Sequence, residues 1–193
     1  MRITFIFIIY SFTFLSCHDA NNIKNVSEFN YKEQEDKFFF PVTDYFNGQL
    51  LGIREKGAAP IKYTTINKKT DSTWLNMNTL PLSFSDFLSP EIDSIKLASY
   101  FTMKKFYDQT LNEITLTYEA NKRLPDSIPW LNWNVYINPE KGTIDRIYLL
   151  KRVSPINKLQ LLWLANKKCK ITSIMDNSDT AYVDKEINIS WNY

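Results

Sequence analysis

One long β-hairpin, Leu131 to Arg152, constrains the fold of this chain more than any other stretch. Its halves meet at Pro139-Glu140-Lys141-Gly142, a four-residue loop in which the proline starts the turn and Gly142 takes the left-handed conformation. The register that follows pairs Asn138 with Thr143, Ile137 with Ile144, Val135 with Arg146, Trp133 with Tyr148 and Leu131 with Leu150. One face of the hairpin is then nearly all apolar and aromatic, and the other carries Asn132, Asn134, Tyr136 and Asp145 with Thr143, Ile147 and Leu149. Since side chains alternate along a strand, this register predicts that Trp133 and Leu131 lie in a core.

Composition limits the class of protein. The chain has 193 residues, of which 44% are hydrophobic and 23% charged, and this suits one globular domain with a substantial core. The formal net charge is only +2, with Lys and Arg spread along the chain, so the sequence predicts no nucleic-acid partner. Aromatic residues make up 15% of the chain and there are only four glycines, which favours strands packed through large rings.

The N-terminal segment is typical of a targeting signal. Arg2 is basic, and Ile3 to Leu15 contains no charged residue. As a helix this run would span about 20 Å, which is too short to cross a hydrocarbon layer of about 30 Å. The segment therefore predicts a signal peptide over residues 1–16, and export of the remainder.

The end of this segment, Leu15-Ser16-Cys17, resembles the lipobox of bacterial lipoprotein precursors. The leucine is one place nearer the cysteine than in the usual pattern, and Phe14 occupies the expected leucine position. The resemblance implies that Cys17 is the lipid attachment site and that the mature chain is anchored to a bacterial membrane, on the periplasmic side or at the cell surface. The alternative is an ordinary exported protein in which Cys17 is incidental.

Two segments follow the signal peptide. Residues 17–37 are polar and poor in large aliphatic side chains, which predicts a lipidated cysteine and a flexible tether, although the part from Ser27 onward could instead extend the next helix backwards. Residues 38–193 form the predicted single globular domain.

The predicted domain is α+β, with a largely antiparallel sheet of about seven to nine strands in a meander and two main helices packed on one face. The helices are expected at Pro41–Lys56, where Gly48 and Gly52 would allow close approach to the sheet, and at Thr79–Leu88. Strand patterns outside the central hairpin cover Ile61–Asn67, Ser72–Met77, Phe101–Tyr107, Ile114–Ala120, Lys158–Leu164, Lys168–Met175 and a last strand through Ile187, Ile189, Trp191 and Tyr193.

The central turn resembles one family feature. Val135 to Ile144 looks like the strand, acid-x-x-x-Gly turn and strand of PepSY-type domains, which are small α+β modules of exported bacterial proteins often linked to peptidase inhibition. The match covers about ten residues, with Asn138 where an Asp is common, and it transfers no functional residue.

Motifs for chemistry are few. His18 is the only histidine, which leaves no Ser-His, Cys-His or histidine-based zinc arrangement in the domain, and no Gly-rich phosphate loop is present. The sequence predicts no cofactor and no metal site, although Asp176-Asn177-Ser178-Asp179 could be either a polar turn or a calcium-binding turn. Cys169 is predicted to be a small buried apolar residue. Acids from which a catalytic carboxylate pair could be drawn are Asp86, Glu91, Asp93, Asp126 and Asp145.

Two functions remain open. The first is a membrane-anchored, non-enzymatic module of the cell envelope that binds a protein or peptide, and the second is a carboxylate-dependent enzyme acting on envelope polysaccharide. For the binding module the sequence indicates two surfaces: a C-terminal strand ending in Trp191-Asn192-Tyr193 at a sheet edge, and a face bearing tryptophans. The tryptophans of that face are Trp74, Trp133, Trp163 and Trp191; such residues are more often core, and a platform for a sugar or peptide is the alternative.

Overall fold

The computed structural model describes residues 39–177 and 180–192. The predicted signal peptide (1–16), Cys17 and the tether (17–37) lie outside the described residues. Within them, nine strands form a single sheet. The strands are β1 Ile61–Ile66, β2 Lys69–Trp74, β3 Phe101–Asp108, β4 Glu113–Ala120, β5 Trp130–Asn138, β6 Thr143–Ser154, β7 Asn157–Leu164, β8 Lys168–Asn177 and β9 Thr180–Ser190.

The order across the sheet is β2-β1-β9-β8-β7-β6-β5-β4-β3, and every neighbouring pair is antiparallel. The seven strands β3 to β9 are a meander, as the short connections predict. The first hairpin, β1 and β2, pairs with β9 and extends the sheet on that side. The outermost strands are therefore β2 and β3, and the prediction of a largely antiparallel sheet is confirmed.

One helix longer than four residues occurs in the described part of the chain. Helix α1, Val42–Glu55, agrees with the predicted Pro41–Lys56 and is followed by Gly57 at φ +64°. Its buried stripe, which includes Phe46 and Ile53, faces the sheet as the 3.6-residue period predicts. The prediction that Gly48 allows close approach to the sheet is wrong, because a Cβ built on Gly48 meets nothing within 4 Å.

The second predicted helix, Thr79–Leu88, is broken into short pieces. A 3-10 helix at Met77–Thr79 leads into α2, Leu80–Ser83, and α3, Ser85–Leu88, and a further turn of helix, α4, spans Ser94–Leu97. The break lies at Phe84, whose φ of −112° and ψ of 13° are not helical. Phe84 and Phe87 both contact Trp163, so the residues on either side of the break pack onto the same buried ring.

The helices and the apolar side of the sheet share one core. Trp163 of β7 lies at its centre, with ring centroids 5.0 Å from Phe46, 5.3 Å from Phe87 and 5.2 Å from Trp191. A second aromatic group surrounds Trp133 of β5, which is fully buried. We call this side of the sheet the covered face, and the opposite side the open face.

The central hairpin forms with the predicted loop but a different register. Asn138 faces Thr143 and Ile137 faces Ile144, and Gly142 has φ +62°, as predicted. Beyond that point Tyr136 pairs with Arg146, because Asp145 is an extra residue that forms a β-bulge. The predicted pairs of Val135 with Arg146 and Trp133 with Tyr148 are therefore wrong, since Val135 pairs with Ile147 and Trp133 with Leu149. A second irregularity displaces Leu131, so Asn132 pairs with Leu150 and Leu131 is only half-buried.

Turn chemistry explains two further hairpins. The predicted strands Ile61–Asn67 and Ser72–Met77 imply a turn at Lys68–Asp71, which is wrong. Strands β1 and β2 are joined by Asn67 and Lys68 alone, whose φ angles of 50° and 64° suit a two-residue hairpin turn. Between β3 and β4, the Asp108 carboxylate accepts hydrogen bonds from the backbone N–H groups of Thr110 and Leu111. Between β5 and β6, the side-chain oxygen of Asn138 accepts hydrogen bonds from the backbone N–H groups of Glu140 and Lys141. These two neighbouring turns share one design, in which a short acceptor side chain fixes the loop.

Candidate functional site

The predicted tryptophan face is mostly core. Trp133, Trp163 and Trp191 are at most 2% exposed and lie on the covered face, beneath the helices. The interpretation of these three tryptophans as core is therefore confirmed, and the alternative of a ligand surface is wrong for them. Trp74 differs, being 66% exposed on the outermost strand β2.

The predicted C-terminal edge is also wrong. Strand β9 lies between β8 and β1, so its backbone is already paired on both sides. Trp191 follows the strand, is buried, and donates its backbone N–H to the carbonyl of Lys167. Tyr193 lies outside the described residues. The strands with one unpaired side in the described sheet are β2 and β3.

The open face carries an unexpected group of large side chains at its centre. Register places Tyr136 of β5, Tyr148 and Leu150 of β6, and Leu162 and Leu164 of β7 on this side, in three adjacent rows. We call these five residues the tyrosine–leucine face. All five are half-buried, and none belongs to the core that the helices cover. An antiparallel sheet with one solvated face usually carries polar side chains there, so this apolar centre needs an explanation.

Charged pairs surround the tyrosine–leucine face. Lys104 contacts Glu119 at 2.6 Å on one side, and Lys170 contacts Glu186 at 2.6 Å on the other. Near the turn that joins β5 and β6, Arg146 pairs with the buried Glu113 at 2.7 Å. The Arg146 guanidinium also lies over the Tyr136 ring, 4.0 Å from its centroid. An apolar centre with a polar rim is the usual anatomy of a protein interface.

The hydroxyl group of Tyr148, in the tyrosine–leucine face, stays protonated at neutral pH. Burial, and to a lesser degree the neighbouring Tyr136, raise the pKa of the Tyr148 hydroxyl above its ordinary value of 10.0. Asn134 of β5 is the cross-strand partner of Tyr148 on the open face. Its carbonyl oxygen is buried and accepts no hydrogen bond from the described residues. A buried acceptor without a donor costs about 1 to 3 kcal/mol, so a hydrogen bond to the Asn134 side chain from a partner would be stabilising.

A pocket of about 260 Å³ opens on the covered face, where the helical layer ends. Its apolar floor is Leu159, Ile171 and Ile187, from β7, β8 and β9. We call it the corner pocket. Its polar wall is formed by Asn157 and Ser173, whose side-chain oxygens lie 3.3 Å apart.

Three charged side chains line the rim of the corner pocket: Asp86 of α3, and Asp184 and Lys185 of β9. Consecutive residues of a regular strand point to opposite faces. Asp184 and Lys185 both line the pocket because the register shifts here: Ser173 pairs with Lys185 but Ile174 pairs with Val183, which leaves Asp184 as the extra residue of a bulge. Sequence analysis included Asp86 among the candidate acids and missed Asp184.

The other candidate acids do not join Asp86. Asp93 caps α4 and pairs with Lys96 at 3.2 Å, and the hydrogen bond from Lys96 lowers the pKa of its carboxyl group. Asp126 lies 3.7 Å from Arg152, whereas Glu91 and Asp145 are exposed. Asp86 itself lies 3.9 Å from Lys151, whose ammonium group donates to the carbonyls of Asp86 and Ser89. Burial lowers the pKa of Lys151, and the nearby Asp86 charge partly offsets this.

Cys169 is a buried free thiol on the covered face, as predicted, and burial raises its pKa. Among residues 39–177 and 180–192, no three His, Cys, Asp or Glu side chains are grouped as metal ligands. In the predicted polar turn, Asp176 pairs with Lys158 at 3.0 Å, and Ser178 and Asp179 lie outside the described residues.

None of the helices in the described part of the chain has the length and apolar character needed to span a membrane. Comparisons of the chain with family models, with curated proteins and with solved structures give no match.

Proposed function

We propose that this protein is an exported lipoprotein, anchored through Cys17 and acting as a non-enzymatic module of the cell envelope that binds a protein partner through the tyrosine–leucine face. The single observation that carries the binding role is the position of five large apolar or aromatic side chains on three adjacent central strands, on the side that the described helices leave uncovered.

Area and charge support a protein as the occupant. Three central strands at about 4.8 Å spacing and five residues at about 3.4 Å rise give an apolar centre of roughly 14 by 17 Å, or about 240 Å² in projection. Together with its polar rim, such a centre has the anatomy of a standard interface, in which each partner buries about 800 Å². The charges nearest the centre are already neutralised in pairs such as Lys104 with Glu119 and Lys170 with Glu186. A partner surface with an apolar centre and hydrogen-bond donors for Asn134 fits these features better than a charged polymer.

Site-specific photocrosslinking in the native membrane tests the binding role. A photoreactive residue at Leu162, in the middle of the tyrosine–leucine face, should give a discrete protein adduct. The matched control is Leu82, which is 74% exposed on the helical side and should give none. Adding Tyr148→Lys to the Leu162 probe should abolish the adduct, because a lysine at that position places a charge in the apolar centre. An adduct that survives Tyr148→Lys, or that forms equally at Leu82, would refute the assignment of this face.

Anchoring needs its own experiment, because it rests on the sequence Leu15-Ser16-Cys17. The change Cys17→Ala should release the protein from the membrane fraction or stop its processing, since several acyl chains contribute about 0.8 kcal/mol for each buried methylene. A Cys17→Ala protein that stays in the membrane fraction at its mature size would show that another feature anchors it.

A carboxylate-dependent enzyme is the second candidate, and the observation that favours it is the presence of Asp86 and Asp184 on one pocket rim. Against it, Asp184 is exposed and Asp86 lies beside Lys151, whereas the general acid in glycoside hydrolysis is enclosed in a pocket away from basic groups. Turnover of an envelope glycan that is lost in Asp86→Asn and in Asp184→Asn, with folding intact, would establish the enzyme instead.

A further inference from the structure

The corner pocket differs from the tyrosine–leucine face in position and chemistry. It lies on the covered face, beside α3, whereas the proposed protein interface is on the opposite side of the sheet. Its volume of about 260 Å³ is just below the range of about 300 to 1,000 Å³ that drug-sized ligands occupy. The occupant must therefore be small, on the scale of one or two amino-acid residues.

The floor and rim specify different parts of such an occupant. Leu159 and Ile171 are at most 9% exposed and present a methyl-lined surface, which favours an apolar group. Above the floor, Asp184 and Lys185 form no ion pair and no side-chain hydrogen bond with the other described residues. The rim therefore offers one ammonium group and two carboxylates, of which Asp86 forms an ion pair with a described residue, Lys151, and Asp184 does not.

The bulge at Asp184 is the feature that makes this arrangement specific. Without the extra residue, Asp184 and Lys185 would point to opposite faces of β9, and one of the two charges would leave the pocket. Bulges are frequent where a side chain is redirected beside a binding site. Here the bulge places opposite charges side by side above one apolar floor.

We infer that the corner pocket binds a small ligand with a primary ammonium group next to an apolar side chain, the chemistry of an apolar dipeptide or of the amino terminus of a peptide. The ammonium group donates to the carboxylates of Asp184 and Asp86, and the apolar side chain lies on Leu159, Ile171 and Ile187. Lys185 binds the carboxylate of a free dipeptide.

Methyl-detected NMR titration of the whole chain in mild detergent tests this assignment, because the floor supplies its own probes. Leu-Leu should shift the methyl signals of Leu159, Ile171 and Ile187 saturably, and leave those of Leu82 and Ile95 on the exposed helical side unchanged. N-acetyl-Leu-Leu, which lacks the ammonium group, should bind at least tenfold more weakly, since a charge-assisted hydrogen bond is worth about one order of magnitude in affinity. Gly-Gly, which lacks the apolar group, should give no shift of the floor methyls.

Variants separate the two sources of such a ligand and provide the control. Asp184→Asn should weaken Leu-Leu binding about tenfold, and Asp126→Asn, an exposed acid away from the pocket, should leave it unchanged. Equal affinity for Leu-Leu and Leu-Leu amide would identify the amino terminus of a longer peptide as the ligand. If the amide binds more weakly than Leu-Leu, and the two bind equally to the Lys185→Gln variant, the ligand is a free dipeptide. Equal binding of the acetylated dipeptide, or the absence of saturable shifts at the three floor residues, would overturn the inference, and neither result would affect the proposed protein interface.

Discussion

Replacement of Trp133 by alanine tests whether the central hairpin holds the core together. The indole is fully buried, and its ring centroid lies 4.6 Å from that of Phe101 and 4.9 Å from that of Tyr118, to which it is nearly parallel at 13°. Tyr118 in turn accepts a hydrogen bond from the backbone N–H of Phe40 at 2.9 Å, just before α1. Removing the indole leaves a large cavity and loosens this contact to the start of the helix.

The magnitude follows from burial and ring contacts. Trp→Ala in a core costs about 3 to 5 kcal/mol, and the stacked ring pair adds about 0.5 to 1.5 kcal/mol. One contribution has the opposite sign: the buried Trp133 N–H donates to no described residue, and a buried unpaired donor costs about 1 to 3 kcal/mol. Taking the middle of each range, we expect Trp133→Ala to lower the free energy of unfolding by about 3 kcal/mol. Trp133→Phe, which also removes the unpaired N–H, should lower it by less than about 2 kcal/mol.

Urea unfolding followed by far-ultraviolet circular dichroism is the appropriate assay, because a tryptophan replacement changes the fluorescence signal itself. The slope against urea should stay constant, so that the shift in midpoint reports stability alone. Trp74→Ala is the matched control: Trp74 is 66% exposed on β2, and its removal should change stability by less than about 0.5 kcal/mol. A loss of under about 1 kcal/mol for Trp133→Ala, or equal losses for the two alanine variants, would refute the packing argument.

Further predictions concern a thiol and two glycines. Cys169 should resist thiol reagents in the folded protein and react stoichiometrically in urea. Because burial raises its pKa above the ordinary 9.0, the unfolded chain releases this proton first, so stability should fall above pH 9 by about 1.4 kcal/mol per pH unit, and Cys169→Ala should remove that component of the slope. Gly48→Ala, in the open on α1, should raise the free energy of unfolding by about 1 kcal/mol, and no gain would show that the site is more crowded than the structure indicates. Gly142→Ala should lower it by about 1 to 2 kcal/mol, because φ is +62° there, and an unchanged urea midpoint would contradict that turn geometry.

Local patterns predicted much of the secondary structure, because the rules that act there are local. The stripe of α1, the loop Pro139–Gly142 and the alternation in β4 depend on neighbours a few residues away, and the structure has each of them. The contact of Phe84 with Trp163, almost eighty residues later in the chain, is one that no local pattern contains. The same limit applies to the position of β9, since only long-range pairing with β1 removes it from the edge of the sheet.

The two proposed surfaces both depend on bulges, and this is why the sequence alone did not reveal them. In β6 the run Ile147-Tyr148-Leu149-Leu150 has large side chains on both faces of the strand. Which pair is buried therefore depends on whether Asp145 pairs with a residue of β5 or is skipped as a bulge. The bulge at Asp145 turns Ile147 and Leu149 toward the helices, and thereby leaves Tyr148 and Leu150 on the open face.

In β9 the extra residue is Asp184, and it places two neighbouring charges over an apolar floor. A bulge removes hydrogen bonds between strands, and the lost free energy is offset either by packing within the fold or by contacts with a ligand. At Asp145 the buried Trp133, Ile147 and Leu149 supply the compensation within the fold. Beside Asp184 the buried Ile171 and Ile189 supply packing in the same way, while Asp184 and Val183 themselves are exposed. The difference between the two bulges lies in charge: the Asp184 carboxylate, which the bulge places at the rim of the corner pocket, forms no ion pair with another described residue, and a cationic group of a ligand would supply that contact.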